Sequence, residues 1–135
     1  MSKEIIISLV CIIIILIILY IYNYNNSRFI KTEILFGRNF IDDKELSENE
    51  FNIFVDEIVA KYFPYGFTVT TSRGQMFDGN KIVKQRNLGI YIIHKNNYIQ
   101  KENIEKIIQT FRKKYKDLQI TKFQENVSVE FYNRS

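Results

Sequence analysis

Four polar side chains in the sequence have the chemistry to recognise a ligand: Arg38, Arg73, Gln75 and His94. A guanidinium presents a planar fork of N–H donors that fits a carboxylate or a phosphate with two parallel hydrogen bonds. Arg38 follows a glycine and Arg73 precedes one, and glycine lets the backbone approach a ligand closely. We therefore predict that Arg38, Arg73 and Gln75 converge into an anion-binding patch. His94 is a fourth candidate ligand-binding residue, although its strand is expected to carry it toward the opposite end of the sheet.

The alternative for these residues is a structural role. Both arginines would then be solvated strand ends, and the glycine beside Arg73 would form a β-bulge. The sequence places no serine or cysteine nucleophile beside His94, so it identifies no catalytic residue. One histidine and one cysteine are too few for a zinc or iron–sulfur cluster, and the acidic stretch from Asp42 to Glu50 lacks the spacing of a calcium loop. We therefore predict neither a metal site nor a cofactor.

Size and composition narrow the class of protein. The chain has 135 residues, a hydrophobic fraction of 46% and a mild net charge of +4. This length holds one small domain once its first residues are assigned to a membrane, which excludes a two-domain enzyme. A disulfide-stabilised scaffold is excluded as well, because Cys11 is the only cysteine and it lies in an apolar run.

That apolar, uncharged run extends from Ile5 to Tyr22. As a helix it would rise about 27 Å, just short of the hydrocarbon core, and the tyrosines at its C-terminal end suit the headgroup region. A cleaved signal peptide is the alternative, but no clear basic n-region or small-residue cleavage site is present. We predict an uncleaved single-pass anchor at residues 1–22, a polar tether at 23–29 and an α+β domain at 30–135. The basic residues on either side of the apolar run only slightly favour a cytoplasmic location for the domain.

The first half of the domain contains a strand and a helix. Lys31 to Phe36 predicts the first strand. Ser47 and Glu50 have the spacing of a capping box, in which each satisfies an amide at the start of a helix. The helix that follows has one continuous apolar face at helical spacing, formed by Phe51, Phe54, Val55, Ile58, Val59, Tyr62 and Phe63. Pro64 then ends it.

A hairpin and a central strand come next. Phe67 to Thr71 alternate between apolar and polar residues, which predicts a half-buried strand. Gln75 to Phe77 is expected to pair with Lys81 to Val83 across a turn at Asp78 to Asn80. Leu88 to His94 is mostly apolar and has the length of a central strand.

A second amphipathic helix and a last strand complete the domain. The helix has an apolar stripe formed by Ile104, Ile107, Ile108, Phe111, Tyr115 and Leu118. Val127, Val129 and Phe131 alternate with polar residues and predict the last strand. The order β-α-β-β-α-β predicts an α+β fold, a ferredoxin-like split βαβ sandwich in which an antiparallel sheet carries two helices on one face. We expect its core to contain Phe54, Val55, Ile58, Ile104, Ile108 and Phe111.

Four short motifs follow one another along this domain. They are Thr32 to Arg38, Leu46 to Phe54, Phe63 to Val69, and Arg73 to Gln75 ahead of Ile82 and Val83. Together they resemble the bacterial and viral domain of unknown function 3574, over about Thr32 to Tyr132. The resemblance implies a fold and an exported or membrane-anchored setting, but no reaction.

Two departures from the family pattern bear on catalysis. The family tends to have a tryptophan where this chain has Met76 and Phe77, and an Arg-Glu pair where this chain has Lys84 and Gln85. An amide does not titrate, so Gln85 could not replace a glutamate that acts as an acid or base in relatives.

The remaining sequence features indicate which partners are expected for the domain. RNA-recognition domains share the βαββαβ order, but Leu88 to Ile93 has one aromatic ring where base stacking needs two or three, so nucleic acid is not an expected partner. The basic residues from Arg112 to Lys116 suit a helix C-terminus or anionic headgroups. We predict a membrane-anchored binding module for a small anionic ligand or a protein. The alternative is a small membrane-tethered enzyme that acts on an anionic small molecule.

Overall fold

The structure, a computed structural model, describes residues 2–26, 29–42, 44–77 and 79–132. Helix α1 spans Lys3–Asn26, and its residues are exposed through Tyr24. The segment Lys3–Tyr24 is long and apolar enough to cross a membrane, because its 22 residues rise about 33 Å. A signal sequence meets the same criterion. The helix runs past the expected boundary at residue 22 into the predicted tether, since extending a helix costs less than starting one.

The domain that follows contains four strands and a helical layer. Its elements are β1 (Phe29–Gly37), α2 (Glu48–Phe54), a π-helical segment (Val55–Val59), α3 (Ala60–Tyr62), β2 (Thr68–Phe77), β3 (Ile82–Lys95), α4 (Tyr98–Lys114) and β4 (Ile120–Val127). The strands form one antiparallel sheet in the order β2-β3-β1-β4. The order and the pairing confirm the predicted ferredoxin-like α+β fold.

The core lies between one face of the sheet and the helices. On the central strands every second residue is buried, with Ile34 and Phe36 of β1 beside Ile90 and Ile92 of β3. The buried set includes five of the six predicted core residues: Phe54, Val55, Ile104, Ile108 and Phe111. Because the aromatic rings of Phe36, Phe51, Phe54 and Phe111 touch one another, the sheet and both helices share a single hydrophobic cluster.

Ile58, the sixth predicted core residue, is only half-buried. It lies in the π-helical segment, where the amide of Ala60 donates to the carbonyl of Val55. A turn closed over five residues holds more residues than an α-helical turn, so it rotates Ile58 away from the face of Val55 and leaves Val59 on that face. The next fully buried position after Val55 is therefore Val59.

The helix boundaries follow the capping chemistry read from the sequence. Ser47 accepts a hydrogen bond from the amide of Glu50 at 3.1 Å, and the Glu50 carboxylate accepts one from the amide of Ser47 at 3.0 Å. This reciprocal pair confirms the capping box. The predicted stripe of α4 is also confirmed, because all its residues, including Tyr115 and Leu118 beyond the end of the helix, are buried.

Strands β2 and β3 form a longer hairpin than predicted. Phe77 pairs with Ile82, so four residues separate the strands instead of the three expected. β2 lies at the edge of the sheet, and Val69 and Thr71 are exposed rather than half-buried. The helical layer does not cover this strand, and apolar–polar alternation alone does not reveal how far a neighbouring layer extends.

The last strand lies earlier in the chain than predicted. β4 is Ile120–Val127, and its final residue pairs with Phe29, the first residue of β1. Because β1 begins at Phe29, the residues after Val127 lie beyond the end of β1 and do not pair with it. Val129 and Phe131 lie outside the sheet, and the Phe131 side chain is exposed.

Candidate functional site

A cleft of about 340 Å³ opens where the β2–β3 hairpin extends past the start of α2. Its lining consists of Arg38, Glu48, Thr71, Ser72, Arg73, Arg86 and Asn87. A hollow of about 380 Å³ adjoins it and shares Arg73 and Arg86, with Lys84, Gln85 and Glu45 as its other lining residues. The two depressions together place three guanidinium groups and an ammonium group around one continuous surface, which we call the arginine cleft.

Arg73 and Arg86 form the centre of the arginine cleft. They are directly opposite each other in the β2–β3 pairing, so their side chains leave the same face of the sheet. Residues in such positions have Cβ atoms about 5 Å apart, and like charges there repel each other. Both side chains are exposed, and in the described part of the chain neither forms an ion pair. Their donors are therefore available to a ligand.

Arg38 forms the wall of the cleft and is already engaged by the protein. Only 7% of Arg38 is exposed. Its Nε donates to the carbonyl of Leu46 at 2.9 Å, and the amide of Leu46 donates back to the carbonyl of Arg38 at 2.7 Å. The Nη atoms lie 3.7 Å from Glu48 and 3.8 Å from Glu45, which is ion-pair distance but longer than a hydrogen bond. Arg38 therefore fixes the loop before α2 while its charge faces the cleft.

The other two predicted site residues lie outside the cleft. Gln75 is exposed on β2 and pairs with Lys84, one step further along the hairpin face than Arg73, and it is not part of the cleft lining. His94 pairs with Ile30 at the other end of β3. The structure thus brings Arg38 and Arg73 together and separates them from His94, because β3 extends between Arg86 and His94.

His94 is a buried core residue with both ring nitrogens occupied. Nδ1 lies 2.9 Å from the carbonyl oxygen of Lys95, which can only accept, so Nδ1 carries the proton. Nε2 then accepts from the Thr32 hydroxyl at 2.8 Å, and that hydroxyl accepts from the Gln124 amide at 3.0 Å. Burial lowers the pKa of His94 below its usual value, and the Lys95 hydrogen bond opposes this shift only in part. His94 is therefore neutral and structural at pH 7.

Arg86, Lys84 and Glu48 were not predicted as site residues. The register of the hairpin would have identified the first two, because it determines which residues on β3 face Arg73. We expected a three-residue turn, and a shift of one residue moves every side chain to the opposite face. Glu48 follows the capping serine of α2, and its position beside Arg38 depends on the fold of the intervening loop.

The described side chains were also considered as ligands for a metal ion. Across residues 2–26, 29–42, 44–77 and 79–132, no group of three or more His, Cys, Asp or Glu side chains could hold a metal ion. The arginine cleft is cationic, with three guanidinium groups, one ammonium group and two carboxylates in its lining. Such a surface attracts anions and repels metal ions.

Comparison with known families agrees with the motifs described above. The chain belongs to the family described as Protein of unknown function (DUF3574), whose pattern matches residues 31–131. No curated protein sequence matches the chain. The family assignment covers nearly the whole domain after α1 and carries no activity with it.

Three solved structures show similarity to this chain at low sequence identity. CutA from Synechococcus elongatus is 7% identical, with a TM-score of 0.51 over 76% of this chain and 83% of CutA. A phage SAM lyase in complex with S-methyl-5'-thioadenosine is 14% identical, with a TM-score of 0.47 over 80% of this chain and 95% of the lyase. The de novo designed protein Foldit4 is 11% identical, with a TM-score of 0.46 over 74% of this chain and 99% of the design. At these identities the likeness to CutA extends to the fold alone.

Proposed function

We propose that this family member is a membrane-anchored binding module that takes a small anionic ligand, a carboxylate or a phosphate, in the arginine cleft. The observation that carries the proposal is the direct pairing of Arg73 with Arg86. Such a pair disfavours folding, and an anion bound between the two guanidinium groups would replace their repulsion by charge-assisted hydrogen bonds.

The surroundings of the arginine pair favour a small ligand. The depression of the arginine cleft that contains Arg38 has a volume of about 340 Å³, which lies at the lower end of the range for small-molecule sites. Arg38 adds a third positive charge that the Leu46 carbonyl holds in place, so little side-chain freedom is lost when a ligand meets it. Thr71 and Ser72 add hydroxyl groups that can donate or accept.

The anchor in this proposal is α1, which persists in the mature protein. Its apolar segment is long enough for the hydrocarbon core, and its side chains find no apolar surface of the domain to pack against, since they are exposed. A helix that is apolar on every side is stable in lipid and not in water. The domain would thus be held at a membrane while it binds its ligand.

Calorimetry on the full-length protein in detergent micelles tests the binding proposal, with phosphate, pyrophosphate and citrate as probes. We expect at least one probe to bind, and Arg73→Gln and Arg86→Gln each to weaken its binding by about 10- to 100-fold, since a charged hydrogen bond contributes about 1.5–3 kcal/mol. The matched control is Arg112→Gln, which removes the same charge from an exposed position on α4 outside the cleft.

Stability measurements on the same variants separate a binding role from a structural one. Without ligand, Arg73→Gln and Arg86→Gln should unfold at the same temperature as the parent protein or at a higher one, because each removes the repulsion between the pair. Absence of binding by all three probes, or equal affinities in the two cleft variants and the Arg112→Gln control, would refute the proposal.

A further inference from the structure

The end of the sheet where β1 begins lies close to the anchoring helix. Asn26 ends α1 and Phe29 begins β1, so the chain between their Cα atoms can span at most about 11 Å. Phe29 pairs with Lys95 at the end of β3 and with Val127 at the end of β4. The chain segments that leave these strand ends are therefore held near the point where α1 ends, and we call this region the proximal end.

The proximal end carries several exposed apolar and aromatic side chains. Five of them are at least 65% exposed: Tyr65, Tyr98, Ile99, Phe131 and Tyr132. In a water-soluble protein, a group of large apolar side chains exposed together indicates a contact surface.

The neighbours of Tyr65, of Tyr98 and of Phe131 place these residues at this end. Tyr65 follows Phe63, whose ring lies 6.1 Å from the ring of His94 near the end of β3. Tyr98 begins α4, directly after β3 ends. The ring of Phe131 lies 5.9 Å from that of Phe29 at the start of β1.

Lysine side chains surround these rings. Lys61 lies in the last turn of the helix before Tyr65, Lys95 ends β3, and Lys101 lies in the first turns of α4. All three are exposed, and none forms an ion pair with a carboxylate in the described part of the chain. Tyrosine rings suit the boundary between lipid and water, and lysines near a bilayer are attracted to anionic headgroups.

We propose that the proximal end lies on the membrane surface from which α1 emerges, with Tyr65 and Tyr98 among the lipid headgroups and Lys95 and Lys101 at their phosphates. The partner is the headgroup layer of the bilayer. The headgroup layer is the expected partner because the short connection between α1 and β1 keeps the proximal end close to the membrane. The inference rests on the proposal that α1 persists as a membrane anchor.

The opposite end of the domain cannot make this contact at the same time. Arg86 and Lys95 are nine residues apart on β3, a distance of about 30 Å along an extended strand. The arginine cleft would therefore face away from the bilayer and be open to soluble anions. The basic residues from Arg112 to Lys116 also lie away from the membrane, because they end α4, which starts at the proximal end. They are therefore not the surface that contacts headgroups.

Single tryptophans test this orientation, because the sequence contains none. The full-length protein is reconstituted into phosphatidylcholine vesicles with a fraction of phosphatidylserine and brominated acyl chains, which quench tryptophan fluorescence at close range. Tyr65→Trp and Tyr98→Trp probe the proximal end. Phe77→Trp, at an exposed position near the hairpin tip, is the matched control, and Ile13→Trp reports whether α1 is inserted.

We expect the two proximal tryptophans to be quenched at least about twofold more strongly than that of Phe77→Trp, and the Ile13→Trp fluorescence to be quenched most. Lys95→Gln with Lys101→Gln should reduce the proximal quenching, whereas Lys113→Gln at the far end of α4 should not. Quenching of Ile13→Trp alone would overturn the surface contact and leave the anchor in place. Absence of quenching even for Ile13→Trp would refute the anchor and this contact together. Neither result alters the calorimetry of the arginine cleft in micelles, so the two proposals can fail separately.

Discussion

The aromatic cluster around Phe111 makes a quantitative prediction about stability. Phe111 is fully buried, and its ring centroid lies 4.4 Å from that of Phe36, 5.2 Å from that of Phe54 and 4.8 Å from that of Tyr115. Phe36 belongs to the sheet and Phe54 to the other helix. Replacement of Phe111 by alanine therefore removes a side chain of α4 that contacts both the sheet and the other helix.

The expected loss is large relative to the stability of a small domain. A phenylalanine-to-alanine change in a core costs about 3–5 kcal/mol, because the transfer energy is lost and a cavity remains. Three aromatic neighbours favour the upper part of this range, since each ring pair contributes about 0.5–1.5 kcal/mol beyond its area. Domains are stable by about 5–15 kcal/mol. With a shift of about 4 °C for each kcal/mol in a domain of this size, we expect Phe111→Ala to lower the unfolding midpoint by about 15–20 °C.

Thermal unfolding of the full-length protein in micelles, followed by near-ultraviolet circular dichroism, measures this shift without the helical signal of α1. The matched control is Phe123→Ala on β4, whose side chain is 53% exposed on the opposite face of the sheet. We expect this control to change stability by less than about 1 kcal/mol. A midpoint for Phe111→Ala no lower than that of Phe123→Ala would show that the assignment of the core face is wrong.

Two further predictions concern His94 and α1. Because burial holds the pKa of His94 below the value of 6.5 in the unfolded chain, the unfolded state takes up a proton first as the pH falls. The free energy of unfolding should therefore decrease below pH 6.5 by at most about 1.4 kcal/mol per pH unit. Urea titrations between pH 7.5 and 5.5 should show this slope, and His94→Gln should abolish it, since the sequence has no other histidine. Intact-mass spectrometry of the protein purified from membranes should find the α1 residues retained, and a mature N-terminus after about residue 22 would contradict the anchor.

The helices could be predicted from the sequence because their signals are local. The Ser47–Glu50 box and the stripe of α4 depend on residues three or four apart, and the periodicity of a helix is contained in a single short segment. The sheet order also followed, because few folds accommodate a β-α-β-β-α-β order. The prediction of these features therefore required no knowledge of which distant residues contact each other.

Strand β4 could not be predicted because its partners are distant in sequence. Three of its residues that face the helices are polar: Lys122, Gln124 and Asn126. Lys122 forms an ion pair with Glu105 of α4, and Gln124 donates to Thr32 of β1. Polar residues are tolerated at such positions once they have partners, but the pattern of the segment then carries no apolar alternation. The residues from Val127 to Phe131 have that alternation, but only Val127 pairs with β1.

The candidate site was predicted only in part for a related reason. The sequence shows that an arginine beside a glycine can present a fork of donors, and the structure places Arg38 and Arg73 around one cleft. The third arginine, Arg86, depends on the hairpin register, which a single additional loop residue changes. Because register is set by pairing over the whole length of the two strands, a short turn motif does not determine it.

Arg38 shows why a binding residue and a structural residue need not be alternatives. The structural role that the sequence suggests for Arg38 is solvation at a strand end, whereas the protein buries it and attaches it to Leu46. A buried cation requires compensation, and Glu45 and Glu48 supply it at distances longer than hydrogen bonds. An anion in the cleft would meet a charge whose position is already fixed and whose carboxylate partners are not tightly bound to it. Arg38 would therefore order the loop before α2 in the free protein and contribute its charge to the ligand with little further loss of entropy.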